Sequence, residues 1–344
     1  MVRRRMDRGS IKKDWQYCKD ILPKVSRTFA LNIEQLEGEV FKTVLIGYLI
    51  FRIVDTFEDN DCRSESEKIA DLKDLSMIFE GDKDLSERLR LYESLKFRWR
   101  ENSHEKNLIE NGQMVLRCYF DLPDTYRTII DPLVVEAIGG MIKFKKLKIE
   151  SRSKIYQIKD IRELRDYCYY VAGIVGVMLT KIFCQKDSIK DIKSELERYQ
   201  IHFGLALQLV NIIKDYEKDI ARGWCYIPST ITEKYRINLD DIMGLSVEQR
   251  QGMVKELSRH AATYLDSTLK YIELLPLKEK SIRMFCIIPF VLAYSTLVKI
   301  NKMKGNKLSR KEVAYLLDRC NAYAISNSDL ESDYLRIRDG VIIW

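Results

Sequence analysis

The feature that most restricts the fold of this chain is its long centre without proline. Only six prolines occur in 344 residues, and none lies between Pro132 and Pro228. Leu, Ile, Lys and Glu dominate this region at helical spacing, and these residue types favour helices. No alternating strand pattern with hairpin turns stands out. The sequence therefore predicts an all-α protein with about ten or more helices, given a mean helix length of about 11–12 residues.

Composition and charge restrict the class of protein and its partners. The chain is 46% hydrophobic and 32% charged, as in soluble globular proteins, and it carries a net charge of +7. Because this excess is mild and spread along the chain, nucleic acid is not an expected partner. The basic start Arg3-Arg4-Arg5 is expected to be a solvated tail, and peripheral contact with an anionic membrane is the alternative. No run of about 18 apolar residues occurs, so no membrane-spanning helix is predicted.

Cysteine usage and the chain start indicate a compartment. Eight cysteines occur without a CxxC pair, and no signal peptide is found. Cys168, Cys184 and Cys286 lie in apolar helical segments, where a free cysteine acts as a small hydrophobe. We therefore expect a reducing, cytoplasmic environment. The three histidines occupy unrelated positions, so a His-ligated zinc site is not expected.

Polar breaks divide the predicted helices without forming a domain linker. Residues 145–154 are charged and predict a loop, and residues 302–310 are basic. No break is long enough for a convincing linker. We therefore expect one domain over residues 21–330, flanked by tails at 1–20 and 331–344. A monomer is the expected oligomeric state.

A first acidic motif lies in the segment GYLIFRIVDTFEDND, residues 47–61. Asp55 lies three residues before Glu58 and four before Asp59, so the three carboxylates share one helix face. Mg²⁺ is the usual partner of such a face, because it binds one or two carboxylates plus substrate phosphates. A helix end with a solvated acidic face is the alternative interpretation, although the surrounding apolar residues indicate a half-buried helix.

A second motif lies in GLALQLVNIIKDYEKDIARGWCYIP, residues 204–228. Gln208, Asn211, Asp215 and Asp219 form a polar stripe at helical spacing on an otherwise apolar helix. Burying an amide and two carboxylates in register is costly unless a metal or phosphate satisfies them. A structural hydrogen-bond network is the alternative.

Two further segments are candidates for a binding cavity. Ala172, Gly173 and Gly176 form a small-residue face in the segment YCYYVAGIVGVMLTKIF, residues 167–183, which either permits close helix packing or leaves room for a ligand. Tyr167 lies at its start, and aromatic faces stabilise cations. Arg27, in SRTF at residues 26–29, can clamp a diphosphate through two hydrogen bonds, or the tetrapeptide is only a capped helix start.

Together these segments resemble the squalene/phytoene synthase family of head-to-head prenyltransferases. The segments SRTFALNIEQL (26–36), YLIFRIVDTFED (48–59), YCYYVAGIVG (167–176) and LVNIIKDYEKD (209–219) occur in the family's order. FCIIP at 285–289, SRTFAL and DTFED are closer to the squalene branch. The resemblance covers about residues 26–313 and implies a helical bundle around an apolar cavity.

The resemblance also implies a reaction with Mg²⁺ and NADPH as cofactors. Two farnesyl diphosphates would give presqualene diphosphate, which NADPH would reduce to squalene. By motif match, Mg²⁺–diphosphate would bind Asp55, Glu58 and Asp59 at a first site and Asp215 and Asp219 at a second. The residues implied to be catalytic are Tyr167, Asp55, Asp215 and Arg52. The residues implied to bind substrate are Arg27, Phe29, Tyr48, Arg52, Val171, Ala172, Gln208, Asn211, Lys214, Phe285, Cys286 and Pro289. NADPH phosphate contact is implied for Lys307, Arg310 and Lys311.

Three departures from the family pattern fall near the second motif. Lys218 stands where the family usually has Glu, Lys214 where it has Arg, and Trp224 where it has Arg. These changes leave two alternatives open besides squalene synthesis. One is the same fold making presqualene diphosphate, dehydrosqualene or phytoene without reduction. The other is a degenerate, non-catalytic protein that binds prenyl diphosphate or acts as a scaffold.

Overall fold

A computed structural model of the chain describes residues 8–95 and 103–339; the side chains of Arg8, Arg27 and Met243 lie outside this description. The basic start Arg3-Arg4-Arg5 also lies outside the described residues. The described residues are almost entirely helical, which confirms the predicted all-α class. They group into two compact units, one ending at Lys146 and the other beginning at Leu147. The predicted single domain stays a prediction.

The first unit consists of helices packed on an apolar core. Its helices are α1 Arg8–Val25, α2 Arg27–Ile33, α3 Gly38–Glu58, α4 Glu65–Phe79, α5 Leu85–Glu93, α6 His104–Glu110, α7 Gly112–Asp121 and most of α8 Asp124–Ser151. Helix starts follow local chemistry: Ser64 caps α4 in a reciprocal box with Glu67. Helix α3 is buried along most of its length, which fixes the orientation of the first acidic motif.

The second unit contains the remaining helices and one short pair of strands. Its elements are β1 Tyr156–Gln157, α9 Ile161–Cys168, a π-helical turn Tyr169–Gly173, α10 Ile174–Phe183, α11 Asp187–Lys190, α12 Lys193–Glu197, α13 Gln200–Ala221, β2 Trp224–Cys225, α14 Ser229–Lys234, a 3₁₀ helix Leu239–Gly244, α15 Val247–Leu274, α16 Lys280–Asn301, α17 Arg310–Tyr323 and α18 Asn327–Ile337. Helix α13 packs against α15, α16 and the π-helical turn, so it forms the centre of this unit.

The two strands are a feature that the sequence did not predict. They pair in parallel, with Tyr156 opposite Trp224 and Gln157 opposite Cys225. Each strand has only two residues, too few for the alternating pattern that identifies a strand in a sequence. The pair ties the chain after α8 to the chain after α13.

Three sequence boundaries differ from the structure. Residues 8–20, predicted as a tail, belong to α1, where Cys18 is fully buried. Residues 331–337, also predicted as a tail, belong to α18, where Tyr334 is fully buried. The predicted loop at 145–154 begins inside α8, and its first residue, Lys145, is buried. In each case the charged residues are part of a helix that also carries buried side chains, since long charged side chains can keep their ends in water beside apolar surface.

Two helical stretches are long and apolar enough to cross a membrane by length and composition. They are Ile161–Phe183 and Lys280–Asn301, and 50% and 72% of their most apolar windows are buried inside the protein. Core helices of ordinary proteins have the same composition, so this is weak evidence for a span. Residues 284–298 were predicted to form a buried core helix, and α16 confirms that prediction, with Pro289 inside the helix. Cys168, Cys184 and Cys286 are buried free thiols, as expected for small hydrophobes.

Candidate functional site

The first acidic motif occupies the last two turns of α3 and the residue that follows it. Asp55 and Glu58 lie within the helix, and Asp59 is its C-terminal capping residue. The neighbouring Val54 and Phe57 are fully buried. The apolar side chains hold the helix in the core, so the carboxylates cannot all turn to open water. Asp55 is half-buried, Glu58 is buried and Asp59 is exposed.

Crowded negative charge characterises this motif. Burial, followed by the charges of Glu58 and Asp59, raises the pKa of Asp55 to about 8, although Arg52 opposes the shift. A carboxyl group with such a pKa lacks sufficient compensating positive charge in the folded protein. A divalent cation beside Asp55 would supply that charge. These hard oxygen donors are the type that Mg²⁺ prefers.

Arg52 lies one helical turn before Asp55 and has an acidic partner on another helix. Its Nη2 donates to Glu105 Oε1 on α6 at 2.8 Å. Its Nε is buried and makes no hydrogen bond among the described residues. A buried guanidinium nitrogen without an acceptor is unfavourable. Arg52 therefore keeps one donor for an anionic ligand.

Lys145 on α8 is a residue of this region that the sequence analysis missed. Its Nζ lies 3.2 Å from Glu58 and 3.5 Å from Glu65, and its side chain is only 3% exposed. Burial raises the pKa of Glu58, while the charge of Lys145 lowers it, and the net shift is upward. The segment KFKK gave no signal that one of its lysines is buried. Lys145 therefore orients Glu58 through this ion pair and offsets part of the cost of burying its carboxylate.

Tyr48 and Phe29 lie near the start of the predicted substrate face. Their ring centroids are 5.3 Å apart, and Phe29 is 40% exposed. Ser26 caps α2 by accepting a hydrogen bond from the Phe29 backbone, so the capped-helix interpretation of SRTF is confirmed. The side chain of Arg27 lies outside the described residues, and its predicted diphosphate contact stays a prediction.

The second motif lies on α13, where Asp215 is held by two lysines. Lys218 Nζ lies 2.5 Å from Asp215 Oδ1, and Lys214 Nζ lies 3.2 Å from Asp215 Oδ2. Burial raises the pKa of Asp215, but the hydrogen bond from Lys218 and the charge of Lys214 outweigh it, and the pKa is lowered overall. The pKa of Asp215 is thus shifted in the opposite direction to that of Asp55.

The other acidic residues of the second motif are also placed on α13. Arg250 Nη1 on α15 lies 2.5 Å from Glu217 Oε1 and 2.6 Å from the Tyr216 hydroxyl. Asp219 is half-buried. Earlier in the polar stripe, Gln208 is half-buried, and Asn211 is exposed and accepts a hydrogen bond from Lys214 at 2.9 Å. The predicted polar stripe is present on α13. Lys214 and Lys218 contact two of its members, Asn211 and Asp215.

An aromatic stack surrounds Tyr167 in the second unit. Its ring lies 4.3 Å from that of Tyr226 with 21° between the planes, and Tyr226 in turn stacks on Trp224 at 5.9 Å. Lys148 Nζ lies 4.6 Å from the Trp224 ring centroid. Tyr167 and Trp224 are buried. Trp224, one of the three departures from the family pattern, therefore belongs to the environment of Tyr167.

The small-residue face serves close packing. A Cβ atom on Gly204 of α13 would lie 2.2 Å from the Ala172 carbonyl oxygen, and one on Gly176 would lie 2.0 Å from the Gln200 carbonyl oxygen. Of the two sequence interpretations, close helix packing is therefore the one observed. Val171 and Ala172 lie in the π-helical turn and are half-buried. Such turns are frequent at functional sites.

The predicted prenyl-pocket residues on α16 are all buried. Phe285, Cys286 and Pro289 lie in the helix interior, and Phe285 packs edge-on against Phe183 at 5.8 Å. Their side chains contribute to the apolar core of the second unit. Their contact with a prenyl chain stays a prediction.

The predicted nucleotide-binding cations lie in and after the loop between α16 and α17. Lys307, Arg310 and Lys311 are exposed and form no ion pair among the described residues. Asn306 in the same loop donates to the Lys214 carbonyl oxygen at 3.0 Å, which attaches this loop to the second motif. The structure thus brings the basic segment beside α13, as a phosphate-binding role would require.

No group of three or more His, Cys, Asp or Glu residues within residues 8–95 and 103–339 is arranged to enclose a metal ion. A preformed cage is not needed for Mg²⁺, which usually keeps waters and binds substrate phosphates. The first motif fits Mg²⁺ in donor type and in the insufficiently compensated charge of Asp55. At the second motif, the oxygens of Asp215 already contact ammonium groups, and this carboxylate does not fit in the same way.

The chain is similar to a known family and to curated proteins of that family. The family model described as squalene/phytoene synthase matches residues 22–317. The squalene synthase of Schizosaccharomyces pombe is 28% identical over 284 residues, covering 82% of this chain and 59% of that protein. Squalene synthase 3 of Panax ginseng is 29% identical, covering 89% of this chain and 70% of that protein. The chain thus spans about 59–70% of the length of these relatives.

Solved structures show the same fold. The complex of TcSQS with the ligand BPH1237 superposes with a TM-score of 0.76 at 26% identity, covering 95% of this chain and 92% of the other. A dehydrosqualene synthase in complex with a ligand gives a TM-score of 0.67 at 20% identity, covering 92% and 98%. The second likeness concerns the fold alone.

Proposed function

Because the chain belongs to the squalene/phytoene synthase family, we propose that it condenses two farnesyl diphosphates head to head and reduces the resulting presqualene diphosphate with NADPH to squalene. The observation that carries the proposal is the crowded carboxylate face of α3, where the pKa of Asp55 is raised to about 8. The curated relatives described above are squalene synthases, which favours this product.

The first motif would hold magnesium through Asp55, Glu58 and Asp59. Magnesium bound there would act as a Lewis acid that draws charge from the departing diphosphate. Arg52 would donate its buried Nε to the same anion, since that donor makes no hydrogen bond among the described residues. Lys145 would keep Glu58 in place through their 3.2 Å ion pair. No step is assigned to a metal at the second motif.

The apolar part of the second unit would protect a cationic intermediate from water. Tyr167 would face the carbocation or handle a proton at its hydroxyl oxygen, with its ring held by Tyr226. Phe285, Cys286 and Pro289 would line the path of the prenyl chain. A dry environment matters because water would quench the cation before it rearranges.

Lys307, Arg310 and Lys311 would bind the phosphates of NADPH. These three side chains are exposed, and within the described ranges they have no acidic partner. Their charge and freedom from ion pairs fit a dinucleotide carrying several phosphate groups. NADPH bound there would supply a hydride for the reductive half of the reaction.

The expected product indicates where in the cell the protein would act. We propose a monomer in the cytoplasm that touches a membrane peripherally, because its product would be an apolar hydrocarbon. The two apolar helical stretches are compatible with this placement because at least half of the most apolar window of each is buried inside the protein.

A second candidate function is a non-catalytic prenyl-diphosphate-binding protein. The observation in its favour is the pairing of Asp215 with Lys214 and Lys218, which removes free negative charge from the second motif. The crowded first motif weighs against it, since a scaffold gains nothing from an unfavourable cluster of carboxylates.

A product assay separates these functions. The purified chain is incubated with farnesyl diphosphate and Mg²⁺, with and without NADPH, and the extract is analysed by mass spectrometry. Squalene formed only with NADPH is the expected result. Presqualene diphosphate or an unreduced hydrocarbon in both samples would restrict the activity to condensation. Unchanged farnesyl diphosphate would overturn the proposal and favour a binding protein.

A further inference from the structure

The two acidic motifs differ in their balance of charge. Residues 52–59 together with Lys145, which contacts Glu58, carry two basic and three acidic side chains. Residues 214–219 together with Arg250 carry three of each. A neutral cluster attracts a divalent cation far less than a cluster with excess negative charge does. The second motif is therefore poorly suited to bind magnesium on its own.

Two of the three basic side chains of the second motif contact the carboxylate of Asp215. Lys218 Nζ contacts one carboxylate oxygen and Lys214 Nζ contacts the other, at 2.5 Å and 3.2 Å. Both oxygens that a metal would bind therefore have an ammonium neighbour. The Lys218 side chain is 61% exposed, so its far end can turn from Asp215 to an arriving anion without breaking the helix packing.

The carboxylate of Glu217 is also paired with a cation. Arg250 binds its carboxylate at 2.5 Å and also donates to the Tyr216 hydroxyl at 2.6 Å. Tyr216 is buried, which fixes the position of this group on α13. Glu217 is therefore held on the Arg250 side of the helix, where it does not restore an acidic face beside Asp215.

The surroundings of Lys214 add positive charge. Asn306 donates to the Lys214 carbonyl oxygen at 3.0 Å, and its loop carries the exposed residues Lys302, Lys304 and Lys307. An anion with several charges gains from positive charge on this loop, because each ammonium group that reaches it would donate a charge-assisted hydrogen bond.

We propose that Lys218 is the resident counter-cation of the second motif, so that this motif receives a diphosphate through Lys214 and Lys218 and takes up no magnesium ion of its own. On arrival of the diphosphate, Lys218 exchanges the carboxylate of Asp215 for a phosphate oxygen. The choice of diphosphate as ligand rests on the proposed function. Magnesium dependence of the whole protein then arises at the first motif.

Binding of inorganic pyrophosphate tests the proposal without any turnover. Isothermal titration is performed on the full chain in EDTA. We expect the wild type to bind pyrophosphate without metal and Lys218→Met to bind it about tenfold more weakly, the loss expected for one charge-assisted hydrogen bond. Lys193→Met is the matched control, because Lys193 is an exposed lysine in an ion pair with Glu197 elsewhere in the same unit. This control should bind like the wild type.

A second measurement counts metal ions directly. Mn²⁺ binding, followed by the resonance signal of the free ion, should be unchanged in Asp215→Asn. Lys218→Glu should add one Mn²⁺ equivalent, and the double variant Lys218→Glu/Asp215→Asn should lose it again. This readout depends on the charge of the motif and not on catalytic competence.

Three outcomes would overturn the proposal: no pyrophosphate binding by the wild type in EDTA, equal affinity of Lys218→Met and wild type, or loss of a Mn²⁺ equivalent in Asp215→Asn. The product assay separates this failure from failure of the proposed function. A chain that consumes farnesyl diphosphate while Lys218→Met binds pyrophosphate normally would overturn only the role of Lys218. A chain that binds pyrophosphate through Lys218 but leaves farnesyl diphosphate unchanged would overturn only the enzyme activity.

Discussion

Asp55 stays on a buried helix although ionising its carboxyl group there is unfavourable. Its folded pKa of about 8 lies above the ordinary value of 3.8, because burial and two neighbouring carboxylates oppose its charge. Below about pH 4 the carboxyl group is neutral in both the folded and the unfolded chain, so it does not change the free energy of folding. As the pH rises from about 4 to 8, only the unfolded chain ionises freely, and folding stability is lost.

Replacing Asp55 by Asn should therefore stabilise the metal-free protein. We expect the free energy of unfolding to rise by at least about 2 kcal/mol at pH 8, less than the full pKa shift would give because Asp55 is only half-buried, with the difference vanishing near pH 4. Urea unfolding in EDTA across this pH range measures the effect. Asp61→Asn, at an exposed carboxylate nearby, is the control and should change stability by less than about 0.5 kcal/mol. Equal stability of Asp55→Asn and wild type at pH 8 would refute the crowded-charge interpretation.

Lys145 should be needed for stability because it compensates two carboxylates. Lys145→Met leaves Glu58 and Glu65 without their shared cation, and we expect a loss of about 3–5 kcal/mol, as for other broken buried ion pairs. Lys146→Met, at the exposed next residue, should have little effect. Thermal unfolding of the two variants gives the comparison. Similar melting temperatures would mean that the ion pair at Lys145 is not formed in solution.

At the scale of elements, helix α13 and the π-helical turn approach so closely that a methyl group cannot fit between them. Gly204→Ala places a Cβ 2.2 Å from a backbone carbonyl oxygen, which cannot move without shifting the turn. We expect a loss of about 2–4 kcal/mol in the free energy of unfolding. Gly139→Ala in α8 is the control, since its Cβ meets no atom within 4 Å. This control should gain about 0.5–1 kcal/mol from reduced backbone freedom. A stable Gly204→Ala variant would contradict the packing.

The strand β2 and the residue after it place aromatic rings beside α9. Tyr226→Leu removes the ring that stacks on Tyr167 at 4.3 Å, and we expect product formation to slow by about tenfold, since such a stack contributes up to about 1.5 kcal/mol. Tyr226→Phe keeps the ring and should stay close to the wild-type rate. Mass spectrometry of the product over time measures both variants. A wild-type rate for Tyr226→Leu would exclude a positioning role for the stack.

Elements with strong helical periodicity could be predicted from the sequence. Features without a recognisable local sequence pattern could not. The core helix at 284–298 and the carboxylate face of α3 followed from apolar spacing alone. The strands at Tyr156 and Trp224 did not, because a two-residue parallel pair has no local pattern. The buried position of Lys145 was missed for the same reason: its environment depends on Glu58 and Glu65, which are distant in sequence.

For the whole molecule, family membership rests on motifs that occur in one order along most of the chain. The family model covers residues 22–317, so the fold could be predicted from the sequence. The electrostatic difference between the two motifs could not be predicted from the sequence, because both motifs consist of carboxylates at helical spacing. Only three-dimensional contacts distinguish Asp55, which lacks sufficient compensating charge, from Asp215, which has two lysine partners.

The central claim is that the carboxylates of the first motif are required for the diphosphate group to leave farnesyl diphosphate. Its most direct test is the rate of pyrophosphate release from farnesyl diphosphate in saturating Mg²⁺, compared between wild type and Asp55→Asn. We predict release by the wild type and a rate lower by at least about a hundredfold in the variant, although the variant is the more stable protein. Equal rates of release would contradict the account, because the crowded charge of Asp55 would then serve no chemical step.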